Sequence, residues 1–290
     1  MLFRNHLRTL SIIVVLLTVF TMTGCASIVS SATGRFANSL SAGILNQDDP
    51  QTVADGAPAY LILIDGLIDS SPKDVSLLLA GAKLYDAYGS VFVENRQRIL
   101  KMSDKAFSYG ARAQCLSVAA TCGMEKLPYD EFVLRLAKVK QKQVPVLYVY
   151  ATTWAGWIQP RSQDWNAVAD LAKVKAALKR VIELEETYDR GGAHLYMGVL
   201  STLIPPALGG NPKEAQAYFE RAITLSEGKN LMVKVYYAQR YARMMFDRKL
   251  HDRLLNQVLK ADVYQKGFVL SNTIAQREAR KLLNSAEEYF

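Results

Sequence analysis

The chain has 290 residues, half of them hydrophobic, with 35 Lys and Arg against 27 Asp and Glu, a net charge of 35 − 27 = +8. That length and apolar content suffice for one large core. The basic balance suits an anionic lipid surface, an acidic partner or simply a solvated exterior. No basic block is interleaved with stacking aromatics, so nucleic acid is excluded as a partner.

Residues 1–24 read as a secretory leader. Arg4 and Arg8 precede an almost unbroken apolar run from Leu10 to Phe20, too short for a stable membrane span. Met22-Thr23-Gly24-Cys25 resembles a bacterial lipobox, which would make Cys25 the lipidated first residue of the mature chain. Ala26 in place of Asp favours sorting to the outer membrane, with the protein lipid-anchored and facing the periplasm. The same residues also admit an ordinary signal peptide or an uncleaved anchor helix. Several acyl chains, at about 0.8 kcal/mol per buried CH₂, would hold the protein firmly to a bilayer. Without the two leader arginines the net charge is 8 − 2 = +6.

Residues 25–49 read as a tether followed by a first helix, and residues 50–290 as a helical-repeat domain. Beyond Pro50 the apolar residues recur at helical spacing, and no segment alternates like a strand. Helices are expected near 51–69, 73–93, 95–121, 128–141, 144–159, 163–188, 190–204, 212–227, 231–247, 249–260 and 272–288. Ser71-Pro72, Leu127-Pro128, Pro160, Gly191-Gly192 and Gly228 punctuate them. This is the pattern of an all-α fold, a tetratricopeptide-like α-solenoid of helical hairpins, with a compact irregular bundle as the alternative.

Cys115 and Cys122 are the remaining thiols, and an exported chain favours pairing them. Seven residues of continuous helix would hold them roughly 10 Å apart, so a disulfide requires the helix to end between them. Thr121 and Gly123 permit that; otherwise the two are buried thiols. No histidine accompanies them at metal-binding spacing, so no metal site is expected. The run Val144 to Ile158, VPVLYVYATTWAGWI, is uncharged and apolar on every side. A helix of that kind is buried. Its Tyr148, Trp154 and Trp157 are either core residues or the lining of an apolar ligand cavity.

Glu183, Glu185 and Glu186 beside Lys179 and Arg180 form a surface ladder rather than an acid/base pair. His194 reads as a packing histidine or a polar group in a pocket, next to Tyr196. His251, among Asp247, Arg248, Asp252 and Arg253, reads as part of a solvated or ion-paired face. Neither belongs to a catalytic motif, and no nucleotide- or cofactor-binding motif occurs. No catalytic residue and no cofactor are expected.

The stretch Gly191 to Ser226 is helix, break, helix. Pro205-Pro206 stops the first helix, Gly209-Gly210 lets the chain reverse, and Asn211, Pro212 and Glu214 open the second. Ala215, Tyr218, Phe219, Ala222 and Ile223 then share a face. The order Ala215…Phe219…Ala222, with Gly198 opposite, is that of a tetratricopeptide hairpin, although the loop is about five residues too long for one. Further on, Tyr237, Arg240, Tyr241 and Arg243 place arginine among aromatics. Such arginines grip a carboxylate or cover apolar surface with their stems. The last helix sets Ala275, Ala279, Leu282, Leu283 and Ala286 on one side and should pack as a cap.

GGAHLYMGVL, IPPALGG, NPKEAQAYFERAI, NLMVKVYYAQRYA, FDRKLHDRLLNQVLKAD and LSNTIAQREARKLLNSAEEYF, in that order, resemble the T-component family of tripartite ATP-independent periplasmic (TRAP) transporters. The resemblance implies a non-enzymatic lipoprotein that partners a periplasmic TRAP solute-binding protein. It also implies a homotrimer and a hydrophobic cavity or channel for a small apolar or amphipathic ligand. A scaffolding lipoprotein of the outer membrane with no small ligand is the alternative. A cavity near Trp154, Trp157 and Tyr196 would separate the two.

Overall fold

The computed structural model describes Ser39 and residues 41–204, 206–208 and 210–290. The leader, Cys25, Pro205 and Gly209 lie outside the described residues. Residues 43–290 form one compact unit, helical throughout, with no strand among the described residues. The longer helices are α1 (Pro50–Ser70), α2 (Val75–Val91), α3 (Arg96–Ser117), α4 (Tyr129–Leu136) and α5 (Val144–Ile158). They continue as α6 (Trp165–Ala169), α7 (Leu171–Glu185), α8 (Gly192–Ser201), α9 (Pro212–Leu225) and α10 (Leu231–Tyr236). A π-helical turn, Tyr237–Ala242, extends α10 before α11 (Arg248–Lys260), α12 (Val269–Asn284) and the short α13 (Ala286–Tyr289).

Their beginnings have a common cause. A helix leaves its first N–H groups without partners, and a short polar side chain just before the first turn can accept from them. Asp49, Asp74, Asn95, Asp164, Asn211 and Asp247 do this for α1, α2, α3, α6, α9 and α11. Proline at the first position reinforces α1 and α9, where a missing N–H costs nothing.

Several predicted helices are shorter or divided. The one expected to reach residue 121 stops at Ser117, where Thr121 folds back to donate to the Val118 carbonyl at 2.7 Å. The one expected over 128–141 ends at Leu136. The one expected over 163–188 breaks at Asp170 into α6 and α7. The one expected from 190 starts at Gly192, because Asp189, Arg190 and Gly191 all adopt left-handed backbone conformations. The last helix begins at Val269, three residues earlier than expected, and is interrupted at Ser285.

Successive helices pack as hairpins, α2 on α3, α3 on α5, α5 on α7, α7 on α8, α8 on α9, and α10 and α11 on α12. The α8–α9 hairpin shows why small residues sit where they do. A Cβ on Gly198 would stand 2.9 Å from the Phe219 ring, so only glycine lets the two helices close. Ala215, Phe219 and Ala222 are buried beneath it.

Three apolar cores follow one another along the solenoid. The first, built on α1 to α3, also takes in Leu270 and Ile274 from α12. Nearby, Tyr264 donates to Asp48 at 3.0 Å and the Gly267 N–H donates to Asn46 at 2.8 Å. The solenoid therefore closes, its last third fastened to its first. Ala275, Ala279 and Leu282 are buried in the third core as the cap pattern implies, Ala286 is buried beside them, and Leu283 is half-buried. No described helix is long and apolar enough to cross a membrane.

Candidate functional site

The central helix α5 divides its aromatic residues between two environments. Trp154 is sealed, stacked on Phe107 at 5.4 Å between ring centroids and met edge-on by Phe132. It is a core residue. Trp157, one turn on, is half-buried on an open groove of about 560 Å³. Phe107, Ala111 and Leu116 of α3 line the groove with it, and Asp104, Arg112 and Glu125 supply charge.

The Trp157 ring is fixed from both sides. Its Nε1 donates to Asp104 at 2.7 Å, and the Arg161 guanidinium lies 4.3 Å from its centroid while bridging to the same carboxylate at 2.6 Å. An aromatic face held in this way offers a prepaid apolar contact, since binding would freeze no further rotor. Cys115 also borders the groove, bonded to Cys122 with 4.3 Å between Cα atoms. The end of α3 at Ser117 is what allows the bond, and it holds the Gly123–Glu125 wall against the helix.

A second set of residues meets on the opposite side of α5. Tyr148 donates to Asp189 at 2.8 Å, and the rings of Tyr188 and Tyr196 stand edge-on to it at 5.2 and 6.3 Å. Two consecutive non-glycine residues in left-handed conformation, Asp189 and Arg190, form the turn that delivers this carboxylate. Burial pushes Asp189 up, against the opposing pull of the Tyr148 hydrogen bond. Tyr148 and Tyr196 are held far above the usual phenol range, first by burial and then by neighbouring negative charge.

Beside them lies Asp86 of α2, half-buried and with no hydrogen bond or ion pair. Lost hydration alone pushes it up to about 7. The α5 backbone comes so close to it that a Cβ on Gly156 would collide with its carboxylate. Its charge is felt by Tyr196 of α8 and Tyr236 of α10.

The other predicted site residues fall elsewhere. His194 is buried, its Nε2 3.1 Å from Glu186, which also takes two bonds from Arg221 at 2.8 and 2.6 Å. Burial lowers the His194 pKa, and the ring packs the hairpin beside Tyr218. Tyr237 stacks on Phe219 at 5.1 Å, and Tyr241 donates to Gln216 at 3.0 Å; both fasten the π-turn to α9. Arg240 is exposed in the π-helical turn. Arg243 covers the Tyr289 ring at 4.6 Å and donates to Ser285 at 2.8 Å, joining two helices. His251 is not on a solvated face: it is fully buried, with Nδ1 2.8 Å from Asp252 and its ring against Phe290.

Sequence reasoning missed Asp86, Asp189, Tyr188 and Tyr236. One signal for Asp86 was present, since it and Lys83 are the only charged residues of α2. Of Pro205, Pro206, Gly209 and Gly210 at the hairpin break, Pro206 opens a short 3₁₀ turn, Pro206–Leu208, where the first helix has already stopped.

The model of the TRAP transporter T-component family matches residues 46–290, which spans every helix named above. The chain belongs to that family. A T-component takes part in TRAP transport, so the groove and the tyrosine set belong to a transport-associated protein rather than to a member of an enzyme family. No curated protein matches the chain. Among the described residues of this T-component, no cluster of three or more His, Cys, Asp or Glu is arranged to hold a metal ion.

Proposed function

We propose that this T-component is a periplasm-facing lipoprotein, anchored in the outer membrane through Cys25. In this reading it partners a TRAP solute-binding protein and holds a small amphipathic ligand. Family membership over residues 46–290 carries the transport role. The groove beside Trp157 gives the ligand a place, with apolar side chains for a hydrocarbon part and charged ones for a polar end. Assembly as a homotrimer belongs to the same reading. A scaffolding lipoprotein is the second reading, favoured by the solid packing around Trp154.

Titration of the cognate solute-binding protein into the full chain should give saturable binding in the micromolar range or tighter. Trp157→Ala should weaken capture of an apolar probe about tenfold, because covering its exposed aromatic face would contribute about 1 to 3 kcal/mol. No affinity for the solute-binding protein would sink the transport partnership. Partner binding with no probe uptake by the native protein would leave the scaffold.

A further inference from the structure

Asp86 is a half-buried carboxylate that no hydrogen bond and no ion pair in the protein answers. Two carboxylates elsewhere between helices show the contrast. Asp65 takes hydrogen bonds from Tyr85 and Tyr109, both at 2.7 Å, and pairs with Lys105; Asp189 takes one from Tyr148. Asp86 has none, and no neighbouring cation offsets its lost hydration, although solvent still reaches it. Its surroundings come from elements far apart in the chain. Gly156 of α5 lies against it, and Tyr196 of α8 and Tyr236 of α10 are half-buried within reach of its field. Closure of the solenoid brings α12 back onto the first core, which also takes in Val146 and Val149 of α5.

The chemistry of this set is specific. An ionised carboxylate in poorly hydrated surroundings costs free energy until a cation or a strong donor meets it. Phenol rings present a negative face that attracts the same kind of partner. We propose that Asp86, with Tyr196 and Tyr236, is a recognition site for the protonated amine of an organic cation or amphipathic ammonium ligand. The charged groups facing this set are Lys83 of α2, Asp189 of the turn before α8, Arg240 of the π-helical turn and Glu278 of α12. The charge of Lys83 acts on Asp189, and that of Arg240 on Tyr236, so neither neutralises Asp86. Gly156 is the enabling residue, since any side chain there would displace the carboxylate. The site rests on the ligand-holding reading above but lies apart from the Trp157 groove, and its failure is separable from that role's.

The test is isothermal titration of the full chain with decylammonium, decanol and decanoate below their aggregation limits, at pH 8 and pH 6. At pH 8 decylammonium should bind about tenfold more tightly than decanol. That preference should shrink at pH 6, as Asp86 takes up a proton. Asp86→Asn, which keeps the shape, and Gly156→Ala, which moves the carboxylate, should each abolish the preference and leave decanol binding unchanged. An ammonium preference that survives both substitutions, or a preference for decanoate, overturns the site. Equal binding of decanol and decylammonium also overturns it while leaving the ligand-holding role intact. No binding of any of the three overturns both.

Discussion

At the scale of single residues, Asp86 should govern how stability responds to pH. Its folded-state value of about 7 stands above the ordinary 3.8, so the folded protein holds a proton that the unfolded chain releases earlier. Asp86 therefore costs nothing below the ordinary value, progressively more between 3.8 and about 7, and a constant amount above that. Asp86→Asn should accordingly be neutral near pH 4 and stabilising near pH 8, by on the order of 2 kcal/mol once partial solvent access is allowed for. Urea unfolding of both proteins across that range measures it, and a difference that stays flat with pH refutes the assignment. Residues of this kind were the least legible in the sequence. Trp154 and Trp157, three apart on one helix, have the same local pattern, yet one is sealed by Phe107 and Phe132 and the other opens on a groove. Only the helices packed on either side decide that. His251 was only half read for a similar reason: it does pair with Asp252, but Phe290, 39 residues on, covers the ring and takes it out of solvent (290 − 251 = 39).

At the scale of elements, the α8–α9 hairpin was the most readable. Its breakers, its Asn211 cap and its small-large-small order are all local chemistry, and local chemistry is what a sequence displays. The cap forms, with Asn211 accepting from the Glu214 N–H at 3.3 Å. Two substitutions test the packing. Phe219→Ala should cost about 3 to 5 kcal/mol by leaving a cavity under Gly198, and Gly198→Ala about 1 to 3 kcal/mol by overpacking the same contact. Thermal unfolding followed by circular dichroism reads both, and a loss under about 1 kcal/mol for Phe219→Ala would mean the hairpin is not held there. Boundaries read less well than hairpins. The break at Asp170 and the start of α8 at Gly192 depend on backbone turns that no proline marks. The bond between Cys115 and Cys122 closes a loop of eight residues counting both cysteines (122 − 115 + 1 = 8), which by loop entropy stabilises by about 2.5 kcal/mol. Reduction should lower stability by that order and raise protease cleavage near Gly123, next to the groove. Equal cleavage with and without reductant contradicts it.

At the scale of the whole molecule, an all-helical solenoid was legible from periodicity, and its closure was not. The residues that close it, Asn46, Asp48, Tyr264 and Gly267, lie in connecting segments without periodicity, and they pair across more than two hundred positions. Leu270 and Ile274 join the first core from a helix whose expected start, residue 272, excluded one of them. The closure has a measurable signature. Asn46→Ala combined with Tyr264→Phe should speed amide exchange at the start of α12 and along α1, while the middle of α5 stays slow. Each lost bond is worth about 1 kcal/mol. Uniform acceleration would show that the seam holds the entire fold rather than its two ends.

A row of stacked hairpins that stops in open space can stretch and recoil like a spring. One whose ends are buttoned together is a hoop, and a hoop resists opening at either end. The same fastening directs force: a pull applied at residue 46 or 48 passes straight to residues 264 and 267, clamping the two ends before it can unwind either one.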